Sequence, residues 1–214
     1  MTDPVTDADQ PDATPILPFV YRVRVEMLLA SPTHRYEGRP ADGPAPRAGI
    51  ELHDTIRFRA GLGIVGDRYH NAPAHRRASV TVIGADALDA VAGELGHTLD
   101  PAATRRNILL RGVDRPLDVD ALRGVTFSID SGTGPVLLQG NRPANPCAWM
   151  DRELAPGAFR AMRGRGGVRC EPLSDGSLSL GDAELRTGVE LRTDVELPVP
   201  PGTTSAPPSD ISVD

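Results

Sequence analysis

The chain has 214 residues and a formal net charge of −6, which suits one domain with extensions and argues against a general nucleic-acid binder. With 22 glycines and 21 prolines, many turns and few long helices are expected, and a hydrophobic content of 39% is enough to build a core. Two cysteines, Cys147 and Cys170, are too few for a disulfide framework or a four-cysteine zinc or iron–sulfur site, and all 23 basic residues are arginine, so an anion must be met by Arg, His or backbone amides.

Met1–Pro18 reads as an acidic, proline-bearing disordered tail without the basic start and apolar core of a signal peptide. No run approaches about 18 apolar residues, so no membrane span is expected and the cytoplasm is the expected compartment. Phe19–Ala30 is the first expected strand, with Val20, Val23, Val25, Met27 and Leu29 carrying an imperfect alternation. Ser31–Gly49 is a long Pro/Gly loop bearing His34, Arg35 and Tyr36 early on, and Glu51–Arg59 is a second strand candidate. Gly61–Gly66 has the spacing GxGxxG, but turn residues follow where a dinucleotide fold needs a helix. The segment reads instead as a tight loop delivering Asp67, Arg68 and His70 to a site, with a structural Asp–Arg pair as the other reading.

Ser79–Ile83 is a clear strand pattern, and Ala85–Leu95 is the best helix, with Leu88, Val91 and Leu95 on one face and Gly96 ending it. Asp100–Thr104 suits a capped turn, followed by the basic and then strand-like Arg105–Arg111. Gly124–Asp130, Pro135–Gln139 and Val168–Leu173 are further expected short strands, and Leu178–Leu180 and Ala183–Arg186 could pair around a Gly181-Asp182 turn. Val189–Leu197 is expected as a last strand, and residues from Pro198 as a second disordered tail. The expectation is therefore a mainly β, closed β-barrel-like domain with a few short helices over 19–197, between tails 1–18 and 198–214.

Four segments could carry chemistry. In the first, Asn145 suits an N-cap and Pro146 a first helical position, which predicts a short helix through Leu154 with Cys147 as its second residue. Free amides and the helix dipole would then favour the Cys147 thiolate as a nucleophile, sulfur carrier or soft-metal ligand, while a buried apolar role is the plainer alternative. The second and third are the Asp67–His70 loop and the Thr104–Asn107 turn. The fourth, Arg163-Gly164-Arg165-Gly166-Gly167, offers glycine-freed amides beside guanidinium groups for an oxyanion, or else a flexible charged turn. No serine nucleophile elbow is present, and a thiol hydrolase built on Cys147, His70 and Asp67 is conceivable but spacing does not establish their contact. His34, His53, His75 and His97 lack zinc spacing. Cys170, on a strand pattern, reads as structural, with a resolving thiol for Cys147 as the other possibility.

In order, Gly63–His70, Ser79–Ile83, Arg105-Arg106-Asn107-Ile108, Pro146-Cys147, Arg165-Gly166-Gly167-Val168 and the Gly176–Asp182 turn resemble the MOSC family, named for the C-terminal domain of molybdenum-cofactor sulfurases. The likeness runs from about Tyr21 to Arg186. It implies a β-barrel-rich fold, a molybdenum cofactor (molybdopterin) with Cys147 as the metal ligand, and reduction of N-hydroxylated or related N–O substrates. On the same resemblance Arg68, Arg105, Arg106, Asn107, Arg165, Gly166 and Gly167 are candidates to hold the cofactor, with Asp67 and His70 lining the site. No flavin motif or ferredoxin-like extension is present, so electrons would come from a separate reductase. The competing readings are a sulfur carrier charged by a cysteine desulfurase, with Cys147 bearing a persulfide, and a non-catalytic module for a small anionic metabolite.

Overall fold

The computed structural model describes residues 15–47 and 49–191. Most of the two expected tails, and residues 192–197 of the last expected strand, lie outside the described residues. Residues 189–191 are not in a strand.

The fold is mainly β and its centre is a closed barrel. Its strands are β1 (Phe19–Leu28), β4 (Val80–Gly84), β5 (Ile108–Gly112), β6 (Thr126–Asp130), β7 (Val136–Pro143), β8 (Val168–Pro172) and β10 (Gly181–Thr187). Their order around the barrel is β1-β10-β6-β7-β8-β4-β5, with β1 paired to both β10 and β5. Closure removes the exposed sheet edges that an open seven-stranded sheet would present. Only β4 and β5 run parallel, and a parallel neighbour needs a crossover. The helix α1 (Ala85–Leu95) and the 3-10 turn Pro101–Thr104 supply it.

β1 shows how pairing corrects the sequence pattern. Tyr21, Val23, Val25 and Met27 are buried while Val20 faces out, 46% exposed. The register slips between Val25 and Met27, so Leu28 and Leu29 are buried as well and the strict alternation ends there. The expected strand Glu51–Arg59 is shorter: β2 spans Thr55–Arg59. It joins β3 (Gly63–Ile64) and β9 (Gly176–Ser179) in a small second sheet whose Ile56, Phe58, Ile64 and Leu178 pack into the barrel core. A second apolar cluster lies outside the barrel, where α1, α2 (Trp149–Glu153) and α3 (Ala158–Ala161) cover Met27, Leu29, Ile83 and Leu109. β4 separates the two cores and is buried along its whole length. Among the described residues no helix is long and apolar enough to cross a membrane.

The two cores meet polar chemistry at Asn107, just before β5. Its Oδ1 accepts from the Thr81 amide (2.9 Å) and hydroxyl (2.8 Å), and its Nδ2 donates to the Leu29 carbonyl (2.9 Å) and to Asp67 Oδ2 (3.2 Å). One buried amide side chain therefore ties β1, β4, β5 and the turn after β3 together. Asn107→Ala strands several buried polar groups and should lower unfolding stability by roughly 2–4 kcal/mol. Urea unfolding measures it, and a loss under about 0.5 kcal/mol would show that the knot is not structural.

Candidate functional site

A cavity of about 150 Å3 opens on the outer side of the barrel, over β8, β4 and the start of β5, with Cys147, Arg68, Arg106 and Arg169 in its wall. Strand alternation explains Arg169: Val168 and Cys170 point into the barrel core, so Arg169 between them points out. Arg68 is carried by the turn after β3. The Arg68 amide donates to the Ser31 carbonyl (2.7 Å), and Asp67 accepts from the Ser31 amide (3.3 Å), the Tyr69 amide (3.0 Å) and Asn107. Asp67 thus holds the turn in shape. The Arg68 guanidinium lies 4.5 Å over the Tyr69 ring, and its Nε is buried with no acceptor.

The adjacent arginines of the Arg105-Arg106 pair do different work. Arg105 adopts a left-handed conformation (φ 58°) as it closes the Pro101–Thr104 turn. Its guanidinium makes two 2.9 Å bonds to the Glu51 carboxylate, and Ser31 Oγ donates to the same carboxylate at 2.6 Å. Burial pushes the Glu51 carboxyl up, but the hydrogen bonds from Arg105 and Ser31 more than offset this and hold it below its ordinary value. Arg105 is therefore neutralised by a buried partner. Arg106 instead meets carbonyls only: Gly166 (3.0 Å), Thr104 (3.3 Å), Ala144 (2.5 Å) and Asn145 (3.3 Å). Burial, and next the neighbouring Arg169, bring its pKa down to about 10. Arg169 is also lowered, chiefly by burial, with Tyr69 opposing and Arg142 and Arg68 adding to the effect.

Charge in this cavity is consequently unbalanced. The paired arginines of the wall are Arg105 with Glu51 and Arg35 with Glu153. No carboxylate among the described residues forms an ion pair with Arg68, Arg106 or Arg169. A protein of net charge −6 thus keeps three guanidinium groups at one cavity, two of them shifted by burial and repulsion. An oxyanion would relieve that repulsion and give the buried Arg68 Nε an acceptor.

Cys147 is exposed and unpaired, but not as the second residue of a helix. The helix α2 begins at Trp149 with Ala148 at its N-cap and no side-chain cap, so Asn145 does not cap it. The lead-in is held extended by tertiary contacts: the Ala144 amide donates to the Gly167 carbonyl (2.8 Å), and Arg106 grips the carbonyls of Ala144 and Asn145. The positive field at Cys147 comes from arginine side chains, and the helix-dipole argument does not apply. Beyond it, Trp149 stacks on Tyr36 (ring centroids 5.0 Å apart), whose hydroxyl donates to Ala103 O at 2.5 Å. Burial, and next Glu153, raise the Tyr36 phenol to about 12.

The structure brings Cys147, Asp67, Arg68, Arg105, Arg106 and Asn107 to one cavity and leaves four other candidates outside it. His70 faces a separate cleft with Arg57, Leu62, Val65 and Asp175, because the turn that sends Arg68 one way sends His70 the other. Arg165 pairs with Glu94 (2.6 Å). Gly166 and Gly167 are packing glycines: a Cβ at Gly166 would collide with the Ala144 carbonyl oxygen, and one at Gly167 with that of Val82. The Gly167 amide already donates to Asp120 (3.0 Å), so this loop does not present a phosphate cradle. Sequence reading missed Arg169 and Thr81 as wall residues, and named His34 and Tyr69 only as members of their loops. For Arg169 the inward Val168 and Cys170 were a usable signal.

The two thiols differ in access. Cys170 is fully buried in the barrel core, where burial pushes its pKa well up, while Cys147 is open to solvent. A thiol reagent should therefore titrate one cysteine per native chain quickly and the second only in denaturant. Two fast thiols in the native protein would contradict this placement.

Comparison with known proteins agrees with this architecture. The family model of the MOSC domain matches residues 66–184, more than half of the chain. Among solved structures, the YuaD protein of Bacillus subtilis aligns with a TM-score of 0.57 at 17% identity, over 80% of this chain and 99% of that one. YiiM of Escherichia coli aligns with a TM-score of 0.50, also at 17% identity, over 78% of this chain and 70% of that one. No curated protein matches the sequence.

Proposed function

Since the chain belongs to the MOSC domain family, we propose that it holds a molybdenum cofactor at the arginine cavity with Cys147 as the protein's sulfur ligand, and reduces N-hydroxylated or related N–O substrates. The observation that carries this reading is the exposed Cys147 thiol sharing a cavity with Arg68, Arg106 and Arg169, none neutralised by a carboxylate. That donor set fits the group: a thiolate suits a soft metal, and guanidinium groups suit the phosphate of a pterin. Among the described residues no three His, Cys, Asp or Glu side chains gather as a metal site, so a metal here would have to bring other ligands with it. When bound, the cofactor supplies a two-electron redox centre.

This chain's residues bind and orient. Arg68 and Arg169 would hold the anionic end of the cofactor, Arg68 through an Nε that has no acceptor in the protein. Arg106 spends its donors on carbonyls and so fixes the backbone that leads to Cys147. Asp67 and Asn107 keep the turn bearing Arg68 at the cavity. Reduction of an N–O bond to amine and water consumes two electrons and two protons. The electrons are assigned to a separate reductase. The test is the molybdenum content of protein purified from a cofactor-competent host. Stoichiometric metal in the wild type, much reduced in Arg68→Ala/Arg169→Ala, supports the reading, and a metal-free wild type sinks it.

A second reading keeps Cys147 and drops the metal. The cavity of about 150 Å3 is small and the thiol exposed, as suits a persulfide loaded by a cysteine desulfurase. Intact mass after incubation with a desulfurase separates the two: a gain of one sulfur atom on wild type but not on Cys147→Ala supports sulfur transfer. A non-catalytic anion-binding module predicts instead that Cys147→Ala keeps full binding and cellular function.

A further inference from the structure

The arginine cavity also contains an imidazole that the proposed ligand set does not use. His34 comes from the loop between β1 and β2 and lines the same wall as Cys147 and Arg68. Of the other titratable groups there, Asp67 accepts three hydrogen bonds, Tyr36 donates to a carbonyl, Tyr69 has the Arg68 guanidinium over its ring, and Cys147 is the proposed sulfur ligand. We propose that His34 takes up a solvent proton when an oxyanion occupies this cavity, adding a cation to the arginines that face the ligand. This rests on reading the cavity as an anion site and does not require molybdenum.

The charges around His34 come from each neighbouring element. Its own loop contributes Arg35 and Glu37, the turn after β3 contributes Arg68, the segment before β5 contributes Arg105 and Arg106, and β8 contributes Arg169. Burial, then Arg68, hold the imidazole's proton affinity below the ordinary value, with Glu37 opposing and Arg105 adding a smaller repulsion. Without an anion, burial and Arg68 therefore disfavour the charged imidazole. A doubly charged oxyanion beside Arg68 cancels that repulsion and attracts a proton to the ring. By linkage, the proton must strengthen anion binding by the same factor. The proton moves from water to a ring nitrogen; no other bond changes and nothing is oxidised. His34 is exposed at the cavity mouth, so the proton has a direct path from solvent.

Sulfate is the probe because it does not itself titrate near neutrality. The five histidines are followed by NMR as pH is varied, with and without saturating sodium sulfate at fixed ionic strength, and His34 is assigned with His34→Gln. The expected result is a rise of roughly one pKa unit, a tenfold gain in proton affinity, at His34. Calorimetry should show wild-type affinity for sulfate falling roughly three- to sixfold more than that of His34→Gln between about pH 6 and 8. A His34 midpoint that sulfate does not move, or equal pH dependence in His34→Gln, overturns the assignment while leaving the anion site standing. No sulfate binding to the wild type overturns both. Both readouts use protein made in a host that lacks the molybdenum cofactor, so that the cavity is open to sulfate.

Discussion

Cys147→Ala should abolish the function proposed for this chain while leaving the fold intact. The side chain is exposed, outside both apolar clusters, and its segment is held by backbone carbonyls that the substitution does not touch. Unfolding stability should change by no more than about 0.5 kcal/mol. Molybdenum retention should fall at least roughly a hundredfold, about 3 kcal/mol of binding free energy, because no other thiol lines the cavity. N–O reduction with a partner reductase should fall with it. The paired measurement is metal content beside denaturant unfolding. Equal molybdenum in wild type and Cys147→Ala would remove the residue from the metal site, and a large loss of stability would make any loss of metal uninformative about ligation.

Glu51→Gln is expected to be the most damaging single change to stability. It leaves the Arg105 guanidinium buried against a neutral amide, and breaking one side of a buried ion pair typically costs about 3–5 kcal/mol. For a domain whose total stability is on the order of 5–15 kcal/mol, that is a large share. The double variant Glu51→Met/Arg105→Met should recover much of the loss, since it removes both charges. The pH dependence has a definite sign. The Glu51 pKa is held below its unfolded value, so its contribution is present above the ordinary carboxylate range and is lost as pH falls through the depressed folded value. The gap between wild type and Glu51→Gln, measured by urea unfolding, should therefore be full at neutral pH and shrink in acid. A gap that is constant down to low pH would mean that the ion pair is not its source. The effect should reach the cavity too, because Arg105 holds the left-handed turn from which Arg106 departs.

How much of this was legible in the chain can be judged residue by residue. The strand at Val80–Gly84, the helix Ala85–Leu95 and the left-handed Gly96 that ends it follow from local periodicity and stop signals, and all three are present. The family pattern was readable because it is spread through the chain in order, and the match over residues 66–184 agrees with it. The Cys147 segment was misread because Asn-Pro before a polar helix resembles a cap. What decides its shape is the Gly167 carbonyl and the Arg106 guanidinium, which are distant in sequence. The Arg163–Gly167 loop was ambiguous for a similar reason: glycines that free amides for a phosphate look the same as glycines that let two backbones touch, and Gly166 and Gly167 are of the second kind.

By itself, the sequence determined the class of this protein: an acidic, all-arginine, barrel-rich chain with one thiol placed after a proline and one on a strand. Those features depend on residue type and on short-range spacing, which any stretch of chain carries with it. Only the tertiary structure decided which arginines are available. Arg105 is spent on Glu51, Arg165 on Glu94 and Arg106 on carbonyls, while Arg68 and Arg169 line the cavity beside Cys147 without a carboxylate partner among the described residues. That allocation depends on barrel closure, which brings together segments on β8, before β5 and after β3, and on which acceptors burial leaves within reach of each guanidinium.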